Sequence, residues 1–329
     1  MTLTPKENYL RALRHEETEY VPVTLLDCCT VGLAIGSPLE NGPAEGGRDA
    51  FGVRWMSSSS GSGAALPAPN EFLFEDVTEW KKKITIPNVE AYDFTKEAEE
   101  CAGVNRNQMA VGYLNRVGVF ERLAACMGFE NALIAMLEDP EVVNDFYTAV
   151  TDYKIKYVEK VAKYIKPDVI TCADDVATVR NLFMSPETYR TLIKPHHKRL
   201  FTAIRNLGII PVQHICGKPE VIVEDVIDNG AAAWSAAQPC NDLKGILVKY
   251  GDRLAIEGGF DFQGPPSLPG APPELLENEV KRCYEEYGAG KRSYVFFGLV
   301  TVNTLDVDEV NRINAPMFTM IQKFRAQGR

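Results

Sequence analysis

A long apolar run, an excess of positive charge and a cysteine framework are all missing from this chain. No stretch approaches the roughly 20 apolar residues of a membrane span, and residues 1–14 lack the apolar core of a signal peptide. The expected location is the cytoplasm, away from membrane. Lys plus Arg total 35 against 45 Asp plus Glu, a net charge of −10, with no basic cluster. Such a surface repels phosphate backbones, so no nucleic-acid partner is expected. Eight cysteines in 329 residues, none in a Cys-x2-Cys pair, exclude a disulfide scaffold and a zinc finger. Gly-x-Ser-x-Gly, Gly-x4-Gly-Lys-Ser/Thr, Gly-x-Gly-x-x-Gly and any fixed-period repeat are also absent.

Apolar residues make up 45% and charged residues 24%, the balance of a folded soluble chain. Thr4, Pro5 and Glu7 predict a capped first helix. The run Tyr20 to Asp27 reads as a buried strand with Asp27 near its carboxyl end. Residues 28–105 form an elaborated segment, and its Ser/Gly tract from Ser57 to Gly63 reads as a solvated loop or a mobile lid. From there apolar runs at 109–114, 168–172, 209–215, 231–237, 254–256 and 294–300 alternate with helical stretches. That alternation predicts parallel α/β architecture, and the missing phosphate loop favours a barrel over a doubly wound sheet. The whole chain, 1–329, is expected to form one domain.

The chemistry concentrates in Ile209-Ile-Pro-Val-Gln-His-Ile-Cys-Gly-Lys-Pro219. On a strand, His214 and Cys216 share a face, and Gly217 with Pro219 ends the strand at the rim where barrel sites form. Imidazole and thiolate at this spacing suit one Zn²⁺; the plain alternative is a buried histidine beside a core cysteine. Glu257, ending a later strand, and Cys240, in a loop, are the expected third ligands. Asp174 and Asp175, at another strand end, are expected to orient a metal-bound histidine, protonate a leaving group or hold a substrate hydroxyl. Asp27, Tyr113 and Asn115 are expected to line the substrate pocket. His15, His196 and His197 read as surface residues.

Asp174-Asp175, the stretch Met184 to Pro195, His214-Ile-Cys-Gly217, Gln238-Pro239 with Asn241-Asp-Leu243, and Tyr250 to Leu254 together resemble the uroporphyrinogen decarboxylase superfamily over residues 110–300. The resemblance implies a (β/α)8 TIM barrel, here with N-terminal helical and loop elaborations. The decarboxylases carry paired arginines near the first strand for a many-carboxylate tetrapyrrole, whereas this chain has Leu25-Leu-Asp-Cys-Cys-Thr-Val31. It is more similar to the zinc-dependent methyltransferases that work with corrinoid proteins. Their His-x-Cys zinc pair matches His214 and Cys216, while the further cysteine of the thiol-activating branch is missing from Val295 to Thr301.

The resulting expectation is a zinc methyltransferase that moves a methyl group from a small methylated substrate, an O-methyl ether such as a methoxylated aromatic, to the cobalt(I) corrinoid of a partner protein. The alternatives are methyl transfer from a methylcorrinoid to a thiol or pterin, uroporphyrinogen decarboxylation, and a non-catalytic binding subunit. The donor, the third zinc ligand and homo-oligomer formation stay open at this level.

Overall fold

The computed structural model describes residues 3–32, 39–43, 45–57, 66–268, 270–290, 292–300 and 306–329. Its centre is a parallel sheet of seven strands in chain order: β1 (Cys28–Val31), β2 (Ala110–Asn115), β3 (Val169–Ala173), β4 (Ile210–His214), β5 (Ala233–Ala237), β6 (Ala255–Gly259) and β7 (Tyr294–Phe297). Each strand pairs with its sequence neighbour. Helix α1 (Pro5–Leu13) precedes the first strand, and further helices return the chain between strands, among them α2 (Val119–Met127), α3 (Phe129–Glu138), α4 (Pro140–Tyr164), α5 (Lys194–Asn206) and α6 (Val223–Asn229). The sheet curls into a TIM-barrel-like fold because strands covered by helices outside and by one another inside bury both faces.

The eighth position of the barrel departs from expectation. Tyr20 to Asp27 was read as one strand, but only Val23 forms a parallel bridge, to Phe296 of β7, whose amide donates to Pro22 O at 2.8 Å. Thr24–Asp27 is a helical turn that shifts the chain from β7 across to β1. Asp27 stabilises that turn by accepting the Val23 amide at 2.8 Å. Its Oδ2 also pairs with Arg325 of the C-terminal helix, α9 by chain order after two further helices (Leu243–Tyr250 and Pro273–Glu286) and spanning Val307–Ala326.

One end of the barrel is closed. Tyr9, Leu10, Ala12 and Leu13 of α1 pack against Cys28, Ala110, Val169, Val212, Ala233, Ala255 and Val295, the inward residues at the strand starts. Two or four residues on, Leu114, Thr171, Ala173 and His214 are only half-buried, so the barrel opens at the carboxyl ends of its strands. Tyr113, Ile170, Trp234 and Phe296 alternate to the outside and fill the strand–helix layer.

The elaborated segment is fixed to the barrel through buried charge. Asp49 accepts from the amides of Phe51 and Val53 at 2.9 Å, from the Trp55 indole at 2.8 Å and from Arg122 of α2 at 2.5 Å. Lys154 of α4 donates to Glu40 at 2.9 Å, Asn115 at 2.7 Å and Arg116 O at 2.6 Å. Apart from Ser57, the Ser/Gly tract lies outside the described residues. No helix among them is long and apolar enough to cross a membrane.

Candidate metal centre

The β3–β4 register aligns Ala173 with His214. Two residues further along both chains, Asp175 and Cys216 face each other, and the Cys216 amide donates to Asp175 Oδ1 at 2.7 Å. His214 Nε2 lies 3.5 Å from Cys216 Sγ. One donor atom from each of Asp175, His214 and Cys216 falls within 4.8 Å of the other two, the one such group among the described residues. Nitrogen, sulfur and oxygen donors at this separation fit a divalent ion such as Zn²⁺. Burial first, then the Asp175 carboxylate, pushes the Cys216 thiol up, so a cation is what would convert it to a thiolate here.

The turn after Cys216 needs glycine. Gly217 has φ +82°, and a Cβ there would sit 2.4 Å from Thr178 O. That carbonyl accepts the Lys218 amide at 2.7 Å, which ties the loop after β3 to the loop after β4.

Asp174 performs a different task from its neighbour. Its oxygens accept the amides of Phe120 (3.3 Å) and Glu121 (3.0 Å) at the start of α2, where Gly118 at the N-cap has no side chain to do so. They also accept His197 Nε2 at 2.8 Å. His197 Nδ1 in turn faces the Gln213 amide group at 3.1 Å and the Tyr189 hydroxyl at 3.3 Å, which assigns its proton to Nε2. Asp174 is therefore an anchor between β3, α2 and α5, with its acceptors occupied. Glu121 returns the contact by accepting the Gly118 amide at 3.0 Å. Burial, then the charges of Asp175 and Asp174, push the Glu121 carboxyl up.

The other expected site residues lie elsewhere. Glu257 does not join His214 and Cys216; it points into the base of the barrel, where Tyr9 (3.5 Å) and Thr24 donate to its Oε1. Cys240 Sγ donates to Gly217 O at 3.3 Å and likewise stays outside the trio. Tyr113 and Asn115 alternate to the outer face of β2, where Tyr113 meets the Tyr157 hydroxyl at 2.5 Å and Asn115 accepts from Lys154. Asp27 is fully buried in its turn. None of these three lines the open mouth. His196 and His197, read as surface residues, are both buried, His196 between Thr151 (3.2 Å) and Asn144 (3.0 Å). His15 is half-buried, with Nε2 2.9 Å from Ala232 O. Glu121 and the anchoring role of His197 were missed because their partners come from other elements, and no local spacing marks them.

The family model for uroporphyrinogen decarboxylase (URO-D) matches residues 117–299. The chain is 26% identical over 161 residues to a methylated-thiol–coenzyme M methyltransferase of Methanosarcina mazei, covering 47% of this chain and 40% of that one. It is 28% identical over 118 residues to the methylcobamide:CoM methyltransferase MtaA of Methanosarcina barkeri, covering 36% and 33%. It is 27% identical over 145 residues to a uroporphyrinogen decarboxylase of Thermus thermophilus, covering 43% and 40%. The chain thus spans 40% or less of the length of these curated relatives. A solved methyltransferase structure from Methanosarcina mazei superimposes with a TM-score of 0.67 at 18% identity, over 97% of this chain and 99% of that one, which shows the shared fold. Because the family match covers more than half of its residues, the chain belongs to the uroporphyrinogen decarboxylase (URO-D) family.

Proposed function

We propose that this protein is a zinc-dependent methyltransferase that passes a methyl group between a small methylated compound and a corrinoid carried by a partner protein. The observation that supports this reading is the Asp175–His214–Cys216 trio at the open end of the barrel. Three protein donors leave a position for a reacting group, as a catalytic zinc site requires. Zn²⁺ held there supplies a Lewis acid for the atom that loses or gains the methyl group. The chain's own residues do the rest: Asp175 fixes the Cys216 backbone, Asp174 locks the adjoining strand end to α2, and α1 closes the far end against water.

The direction favoured by the missing last-strand cysteine is demethylation of an O-methyl ether toward cobalt(I). The oxygen leaves with the bonding electrons and takes a proton, while cobalt receives the methyl group. A second direction, from methylcorrinoid to a thiol, is supported by the printed activities of two relatives. Decarboxylation of a many-carboxylate tetrapyrrole is disfavoured because the seven barrel strands contain no Lys or Arg. Mixing the zinc-loaded protein, a reduced corrinoid protein and methyl ethers tests the first direction through loss of the cobalt(I) absorption band. Methylated thiol formed from methylcobalamin would instead establish the second. Carbon dioxide released from uroporphyrinogen, with no methyl transfer in either direction, would refute the proposal.

A further inference from the structure

The seven barrel strands together carry one carboxylate and no Lys or Arg, and that carboxylate is Glu257. Its position in β6 aligns with Ser235 of β5, which aligns with His214 of β4. Strand alternation turns Glu257 into the barrel, since Ala255, two residues earlier, belongs to the inward layer that packs on α1. Contact with Tyr9 of α1 places the carboxylate near the closed end, whereas Asp175 and Cys216 lie beyond the opposite strand ends.

Glu257 is 3% exposed, yet it is unevenly satisfied. Tyr9 and Thr24 both donate to Oε1, and no described group donates to Oε2. Oε2 is also not among the fully sealed, unpartnered atoms of the interior, so it keeps some accessible surface. Burial, and then the charge of Glu257, hold the Tyr9 phenol protonated, so it serves as a donor and offers no counter-charge. The guanidinium that reaches the Thr24–Asp27 turn, Arg325, is taken by Asp27. A buried carboxylate with one unengaged oxygen and no cation in its strands is matched by a ligand that brings both a donor and a positive charge.

We infer that Glu257 forms the recognition group of a subsite at the base of the barrel pocket, which takes a protonated amine at the end of the substrate remote from its methyl group. The inference rests on the methyltransferase reading for the word substrate, but the subsite itself is a property of β6, α1 and the Thr24 turn. It separates this pocket from one built for an anionic thiol or a polycarboxylate, which the same carboxylate would repel.

The test uses the full zinc-loaded chain and three methyl ethers of nearly equal size: 2-methoxyethylamine, 2-methoxyethanol and methoxyacetate, with dissociation constants from ligand-observed NMR at neutral pH. The amine is expected to bind at least about tenfold more tightly than methoxyacetate, equivalent to about 1.4 kcal/mol. Glu257→Gln should erase that preference at unchanged zinc content, and Tyr9→Phe, which keeps the carboxylate, should retain it. Equal or tighter binding of methoxyacetate, no binding of the amine, or a preference that survives Glu257→Gln would overturn the inference. If Glu257→Gln does not fold, the order of the three probes on the unmodified protein still decides. An amine preference without methyl transfer to cobalt(I) would remove the proposed activity and keep the subsite; transfer without the preference would remove only the subsite.

Discussion

Replacing Gly118 by alanine isolates the link between α2 and the candidate metal centre. The glycine is not required by its backbone, since φ −63° and ψ −174° suit any residue. It is required by space: a Cβ there would fall 2.0 Å from Asp174 Cγ, 2.1 Å from its Cβ and 2.4 Å from Oδ1. Asp174 sits beside β3, so the carboxylate must swing away from the α2 amides. Overpacking costs about 1–3 kcal/mol, and each hydrogen bond to a charged group contributes about 1.5–3 kcal/mol. Losing one or two of the Phe120, Glu121 and His197 contacts on top of the clash gives an expected destabilisation of about 2.5–9 kcal/mol, a large share of a typical total of about 5–15 kcal/mol. Urea unfolding should show a lower midpoint at unchanged slope. Zinc affinity should fall as well, because Asp175 is the next residue. Adding Gly118→Ala to an Asp174→Gly background should cost far less than in the parent, since all three clashing atoms are gone. A loss below about 1 kcal/mol in the parent, with zinc affinity intact, would refute the reasoning.

Three further outcomes are expected. Lys154→Met should destabilise by about 3–5 kcal/mol in urea unfolding because it strands the buried Glu40 carboxylate, and adding Glu40→Gln should recover much of that loss. Cys216→Ala should strip most of the zinc from a protein that still folds, and zinc absorption spectra of the parent should fit one sulfur at about 2.3 Å with the remaining ligands at about 2.0–2.2 Å; two sulfurs would bring Cys240 into the site. Burial first, then Arg199, lowers His196 from its ordinary value to about 4, so the unfolded chain binds a proton at higher pH than the native one. Stability should therefore fall as pH drops from about 6.5 toward 4, and His196→Gln should flatten that slope in thermal melts recorded across the window.

What could be read beforehand follows from the range of the interactions involved. The apolar runs at 168–172, 209–215 and 294–300 fall on β3, β4 and β7 because a strand buried on both faces must be apolar throughout, a local property. Tyr20 to Asp27 looks the same locally, yet only Val23 bridges to β7, since Asp27 takes the Val23 amide and bends the chain into a turn. Tyr113 and Asn115 were expected in the pocket because they end a strand, but one step of register decides inside from outside, and the run alone does not fix that parity. His214 and Cys216 were legible as a pair because two residues apart on a strand means one face. Their third partner was not, because Asp175 reaches them only through the pairing of Ala173 with His214. The same holds for His197, which reads as part of a polar helix start, Lys194 to Arg199, until Asp174 arrives from β3. In this barrel the strand order and the first two donors are encoded within single elements. The third donor, the anchor beneath it and the carboxylate at the base come into being only when neighbouring strands are set in register.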